Sequence, residues 1–125
     1  MLRVFRPLRQ ATKLTTGIVG LEVHPNPVPT LAQTYRSTLA LVRRGIPETA
    51  VYRQSVEAST EHKLSIVEAA KGDVSRVEKE IGQGQIEELI VAAEKELSLA
   101  EKMIEWKPWE PLEEKPVPGQ WEYFN

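Results

Sequence analysis

The apolar residues between Ile86 and Ile104 recur at alternating spacings of four and three. They are Ile86, Ile90, Ala93, Leu97, Ala100 and Ile104. This is the spacing of one face of an α-helix that packs against other helices at a shallow angle. Pro108 disfavours a helical conformation of the residue before it, so the helix should end there. The segment therefore predicts a long amphipathic helix from about Gln85 to Trp106, which other helices must cover.

A first helix is predicted upstream, over about residues 30–44. Its apolar residues fall at spacings of four, four and three, again on one face: Leu31, Tyr35, Leu39 and Val42. Its start has two interpretations. Either Thr30 is the N-cap, or Pro27 and Pro29 occupy the first turn, where proline is well tolerated. Gly45 is expected to end the helix.

Two further helices are predicted between these. The second ends before Gly72, and it is either continuous or interrupted at Ser59 and Thr60, because these residues prefer caps to helix interiors. The third is short, with Asp73 as its N-cap, and it stops at the turn "GQG", residues 82–84.

The fold class predicted from this pattern is all-α, a small bundle of three to four helices. Apart from a short apolar run at residues 18–21, no strand pattern is visible. We expect a basic N-terminal arm and Pro-rich connector at 1–29, the helical bundle at 30–106, and an extended Pro/Trp-rich C-terminal tail at 107–125. A core of this size supports only a marginally stable domain.

The N-terminal segment "MLRVFRPLRQATKLTT" is basic and amphipathic. No acid precedes Glu22, whereas four cations do, namely Arg3, Arg6, Arg9 and Lys13. This composition is typical of a mitochondrial transit segment, and the alternative is a disordered basic arm. If the segment is retained rather than cleaved, it needs a surface on which to dock.

The C-terminal stretch "EWKPWEPLEEKPVPGQWEYF" contains all three tryptophans and five of the eight aromatic residues. Trp106 lies in the last turn of the apolar seam, so it has two interpretations: it closes the bundle from inside, or it contacts a partner together with the aromatics that follow. The aromatics after Pro108 have little of their own chain to contact and are expected to anchor the tail on a neighbouring protein. The predicted partner contacts are Trp106, Trp109, Pro111, Trp121, Tyr123 and Phe124.

A row of acidic residues follows the apolar seam of the last helix. Glu87, Glu94 and Glu101 repeat every seven residues, with Glu105 four further on, and no lysine or arginine lies four residues after any of them. The row is either a solvated face or a surface for electrostatic contact with a basic partner.

No motif in the chain predicts catalysis. There is no cysteine, and neither His24 nor His62 has another potential ligand at the spacing that a metal site requires. The net charge of -2 gives no reason to expect nucleic-acid binding, and no apolar run is long enough to span a membrane. We therefore predict no catalytic residue, no cofactor and no metal site.

Four stretches resemble a known family: "TTGIVGL" (15–21), "AVYRQSVEASTEHKLSIV" (50–67), "GQGQIEELIVAAEKELSLAEKM" (82–103) and "EWKPWEPL" (105–112). They are similar to the alpha-subcomplex subunit 5 family, an accessory subunit of mitochondrial NADH:ubiquinone oxidoreductase, respiratory complex I. The resemblance extends over about residues 14–123. Its most specific element is W-x-x-W-E-P after the last helix.

The resemblance implies a non-catalytic helical subunit bound to the matrix-facing peripheral arm of complex I. Its neighbour would be the core thirty-kilodalton-type subunit, while flavin, iron–sulfur clusters and quinone belong to other subunits. The implied role is to stabilise or help assemble the arm, and so to support electron transfer from NADH to ubiquinone. The alternative is an assembly factor, or a peripheral helical binding protein, that the mature complex does not retain.

Overall fold

The structure is a computed structural model that describes residues 13–124, so the arginine-containing part of the predicted arm lies outside the described residues. Within that range it contains four α-helices and no strand. The helices are α1 Pro27–Gly45, α2 Val51–Ala70, α3 Val74–Ile81 and α4 Ile86–Trp106. The predicted all-α fold is confirmed, and the apolar run at residues 18–21 is part of a loop.

The ends of the helices distinguish between the alternatives left open by the sequence. α1 begins at Pro27 after Asn26, so the prolines occupy its first turn and Thr30 is not the N-cap. The Thr30 hydroxyl instead donates to the Asn26 carbonyl at 2.8 Å. α2 runs without a break through Thr60, which is buried. As predicted, Asp73 caps α3, and its carboxylate accepts from the Arg76 N–H.

The core is formed where α1 packs against both α4 and α2, with α3 packed against α2 and α4. The larger apolar cluster joins the first half of α1 to α3 and to the ends of α2 and α4 nearest to α3. Its members include Leu31, Tyr35, Val67, Val77, Ile86, Leu89 and Ile90. The smaller cluster lies towards the end of α1 and of α4, and its members include Val42, Ile46, Val56 and Ala100. The apolar seam of α4 therefore contributes to both clusters.

Two hydroxyl-bearing side chains, those of Thr38 and Tyr52, lie in or beside the core. Thr38 lies one helical turn from each cluster and is fully buried, with its hydroxyl donating to the Thr34 carbonyl at 3.0 Å. Near the smaller cluster, the half-buried Tyr52 hydroxyl donates to Glu96 at 2.8 Å. Both hydroxyls are paired inside the bundle, so burying them does not leave a polar atom without a hydrogen bond.

The end of α1 approaches the end of α4 very closely. A Cβ atom added at Gly45 would lie 2.4 Å from Ile104 Cδ1. Gly45 is the last residue of α1 rather than the residue after it. The absence of a side chain at this position lets Ile104 reach the smaller cluster, which is also where the C-terminal tail begins.

Candidate docking surfaces

The tail starts with a reversal of the chain at Lys107. This residue adopts the left-handed conformation, with φ of 50°, and its N–H donates to the Met103 carbonyl at 2.9 Å. The Glu110 N–H then donates to the Lys107 carbonyl at 3.1 Å and closes a tight turn. The residues described after Lys107 form no helix or strand.

Because of this reversal, Trp106 is exposed and Trp109 packs against the bundle, which is the opposite of the first interpretation of the sequence. Trp106 is 62% exposed, whereas Trp109 is half-buried and packs against the smaller core cluster. The interpretation that Trp106 closes the bundle from inside is therefore wrong. Each helical residue turns the side-chain direction by about 100°, so Trp106 points about 200° away from Ile104, the last seam residue. Trp109 reaches the core only because the left-handed residue turns the chain back.

The last aromatics of the described chain face solvent. Trp121 is 84% exposed, and Tyr123 and Phe124 are more exposed still. Pro111 is also exposed, as are the two aliphatic tail residues Leu112 and Val117. These six exposed apolar side chains all lie within residues 111–124 of the tail.

The acidic row divides into two parts. Glu94, Glu101 and Glu105 are exposed on α4, as expected for either interpretation of the row. Glu87 is buried, with 3% of its surface exposed, and its carboxylate lies 2.5 Å from Lys13 Nζ. No cation lies four residues after Glu87, but Lys13, 74 residues away in the sequence, pairs with it. Glu87 therefore belongs neither to a solvated face nor to a surface open to a basic partner.

Lys13 and Gln85 extend this pair into a small network. Lys13 Nζ also donates to Gln85 Oε1 at 2.8 Å. Gln85 is the N-cap of α4 and forms a capping box with Glu88, whose carboxylate accepts from the Gln85 N–H at 2.7 Å. The network thus joins the connector to the first turn of α4, where an acidic side chain is also favoured by the helix dipole.

The buried carboxylate of Glu87 remains charged. Burial acts to raise its pKa, but hydrogen bonds from Lys13 and from the backbone N–H groups of Glu87 and His24 outweigh that effect. The net result is a pKa below the usual 4.5. Glu87 therefore stabilises the folded state above the usual pKa, and this contribution is lost as the pH falls through its lowered value.

The two histidines show no sign of a shared metal site. His24 Nδ1 accepts from the Asn26 N–H at 3.0 Å, and His62 is exposed on α2. Among residues 13–124, no three His, Cys, Asp or Glu side chains are grouped so that they could hold a metal ion. No helix in that range is long and apolar enough to cross a membrane.

A small helical bundle with an exposed aromatic tail is typical of subunits of larger assemblies. Comparison with known proteins agrees with this class. The family model described as "ETC complex I subunit conserved region" matches residues 20–88. The chain therefore belongs to the family of complex I alpha subcomplex subunit 5.

The similarity to individual relatives covers most of the chain. NADH dehydrogenase (ubiquinone) 1 alpha subcomplex subunit 5 of Bos taurus is 49% identical over 111 residues, which are 89% of this chain and 94% of the relative. The alpha subcomplex subunit MCI4 of Candida albicans is 47% identical over 110 residues, 88% of this chain and 78% of the relative. The probable subunit 5 of Arabidopsis thaliana, whose name includes "mitochondrial", is 45% identical over 83% of this chain and 60% of the relative.

Replacing Lys13 with methionine should destabilise the protein by about 2–3 kcal/mol, because it leaves the buried Glu87 carboxylate without its cation. The pKa of Glu87 should rise, because its buried charge is no longer paired. The difference in the free energy of unfolding between wild type and variant should therefore be largest near pH 7 and should shrink as acid protonates Glu87. Urea unfolding between pH 4 and pH 7 measures both effects. Lys102→Met, at an exposed position of α4, is the matched control. Equal stability of Lys13→Met and wild type would contradict the role of this pair.

Truncating the two tryptophans at the end of α4 should give unequal results. Trp109→Ala should cost about 2 kcal/mol, since a half-buried aromatic side chain leaves the smaller cluster. Trp106→Ala should change the free energy of unfolding by no more than about 0.5 kcal/mol, because its side chain is mostly in water. Chemical unfolding of the isolated protein tests this, and a larger cost at Trp106 would refute the assignment.

Proposed function

We propose that this chain is a non-catalytic accessory subunit of mitochondrial respiratory complex I that stabilises the peripheral arm by docking its tail on a neighbouring subunit. The observation that supports this most directly is the exposed aromatic end of the tail, in a chain whose family consists of complex I subunits. In this proposal the chain supports electron transfer from NADH to ubiquinone by holding the arm together, and other subunits bind the redox centres.

The size of the tail surface fits a protein interface. Large aromatic side chains bury about 150–250 Å² each, so Trp121, Tyr123 and Phe124 could together bury about 600 Å². A standard protein interface buries about 800 Å² on each partner. The three aromatics and the exposed Leu112 therefore provide most of the apolar area that such a contact needs.

Acidic side chains on α4 and in the tail favour a partner with a basic surface. Seven acids are exposed on α4 and in the tail, and four exposed lysines lie among them, which leaves a small negative excess. The acids are Glu94, Glu101, Glu105, Glu110, Glu113, Glu114 and Glu122, and the lysines are Lys95, Lys102, Lys107 and Lys115. A negative surface next to an apolar one speeds and orients association with a basic patch. From the resemblance of the sequence to its family, rather than from the charges, we infer that the partner is the core thirty-kilodalton-type subunit and that the contact lies on the matrix side of the inner membrane.

The alternative function, an assembly factor that leaves the mature complex, receives no support from the comparisons. The relatives are named as subunits of the alpha subcomplex rather than as assembly proteins. Retention in the purified complex is therefore the expected behaviour of this chain.

Replacing Trp121, Tyr123 and Phe124 together with alanine should reduce recovery of the subunit with purified complex I by at least about tenfold, because truncated interface aromatics often act as hot spots. The experiment uses cells that lack the endogenous subunit and express the full-length variant. Quantitative mass spectrometry of the purified complex gives the recovery.

The control is Val51→Ala, at an exposed position in the first turn of α2, which should be recovered like the wild type. Both variants should unfold at the same urea concentration as the wild type, since the altered side chains lie outside the core. Full recovery of the triple variant would show that the tail does not dock the subunit.

A further inference from the structure

One buried carboxylate holds the connector at two points. Lys13 Nζ lies 2.5 Å from Glu87 Oε2 and pairs with it. The backbone N–H of His24 also donates to the Glu87 carboxylate. The chain between Lys13 and His24 therefore starts and ends at the first turn of α4, where Glu87 lies.

The segment between these two contacts is also attached to the bundle. Thr16 is buried, and its carbonyl accepts from Gln85 Nε2 at 2.7 Å. The Thr16 hydroxyl donates to the Leu21 carbonyl at 2.6 Å and so closes the loop that follows. Residues 13–24 therefore belong to the folded structure, although they precede the first helix.

Lys13 supplies a charge that the fold requires. Among residues 13–124, it is the only cation paired with Glu87, whose side chain has too little exposed surface for water to solvate it. Its ammonium also donates to Oε1 of Gln85, the N-cap of α4, at 2.8 Å. A chain that begins after Lys13 leaves both acceptors without this donor, and a buried carboxylate that loses its cation strongly destabilises a fold.

The composition of the N-terminal segment does not show where a transit segment would end. The first acid of the chain is Glu22, so the whole of residues 1–21 is free of acidic side chains, as transit segments are. On composition alone, a cut before Lys13 and a cut after it are equally acceptable. The contacts of Lys13 distinguish between these two cuts.

We propose that the mature subunit retains Lys13, so that any proteolytic removal of the N-terminal segment takes place before this residue. The inference rests on the proposed function only for the mitochondrial location of the chain. Removal of a transit segment hydrolyses one peptide bond, with water supplying the new carboxylate and the new α-amino group. A cut between Thr12 and Lys13 leaves the ammonium of Lys13 beside Glu87, whereas a cut after Lys13 removes it.

The stability of the subunit gives the retention of Lys13 a physical reason. Without the cation of Glu87, the folding equilibrium constant should fall by about 30- to 150-fold. A larger unfolded fraction is removed by proteases in the cell, so a chain cut after Lys13 would accumulate less than one cut before it. Lys13 is therefore the last cation of the basic segment and also the first side chain that the fold requires.

The test is the intact mass of the wild-type subunit, measured on purified complex I and, in parallel, on whole mitochondria. We expect the first residue to be Lys13 or an earlier one in both samples. Digestion with trypsin is avoided, because trypsin cuts after lysine and would itself create an end at Leu14. A mature chain that begins at Leu14 or later would overturn the inference and leave the proposed function standing. A chain that keeps Lys13 in mitochondria but is absent from complex I would refute the proposed function and support the inference.

Full-length variants test the reason for retention. Urea unfolding should show the loss of about 30- to 150-fold in the folding equilibrium constant for Lys13→Met. Lys13→Arg keeps the positive charge and should lose less than about tenfold, and Lys102→Met is the control at an exposed position. Wild-type stability of Lys13→Met, or an equal loss in Lys13→Arg and Lys13→Met, would contradict the need for a cation at this position and with it the inference.

Discussion

α4 packs along α1, with Ile86, Ile90, Ala93 and Ala100 buried. The segments that precede and follow the bundle are attached to the two ends of α4. At its first turn, Gln85 and Glu87 bind the connector through Thr16 and Lys13. At its last turn, Lys107 reverses the chain and lays Trp109 on the core. The packing of α4 against α1 therefore sets the positions of the N-terminal segment and of the C-terminal tail.

Among the described residues beyond α4, Trp109 alone packs against the apolar clusters of the bundle. The two clusters are small, and Thr38 lies between them on α1. Trp109 packs against the smaller cluster, whereas Trp121, Tyr123 and Phe124 are exposed to solvent. A chain that keeps these side chains exposed while its core is closed is built for assembly, which agrees with the family to which it belongs.

Much of the fold was predictable from sequence because it depends on local patterns. Three such patterns each describe a feature within one helix, and the structure contains all of them: the 4-3 spacing from Ile86 to Ile104, the prolines in the first turn of α1, and the Asp73 cap. Where two interpretations were open, as at Thr30, the missing information was again local, namely the backbone conformation at Asn26.

The surfaces were harder to predict because they depend on contacts between distant segments. The rule for charges four residues apart considers one helix only, so it could not find Lys13 beside Glu87. For the tryptophans, the angular distance from Ile104 to Trp106 was available in the sequence and would have placed Trp106 outside the core. The packing of Trp109 against the core could not be predicted, because no clear sequence signal marks a lysine that adopts the left-handed conformation after a helix.

The central claim is that the bundle is complete by itself and that its tail is completed by a partner. Hydrogen exchange of the isolated protein and of the same subunit within intact complex I tests this most directly, since it reports on each backbone segment in both states. We expect strong amide protection of α1 in both samples, and protection of residues 112–124 only in the complex. Equal exchange of the tail in the two samples would contradict the claim.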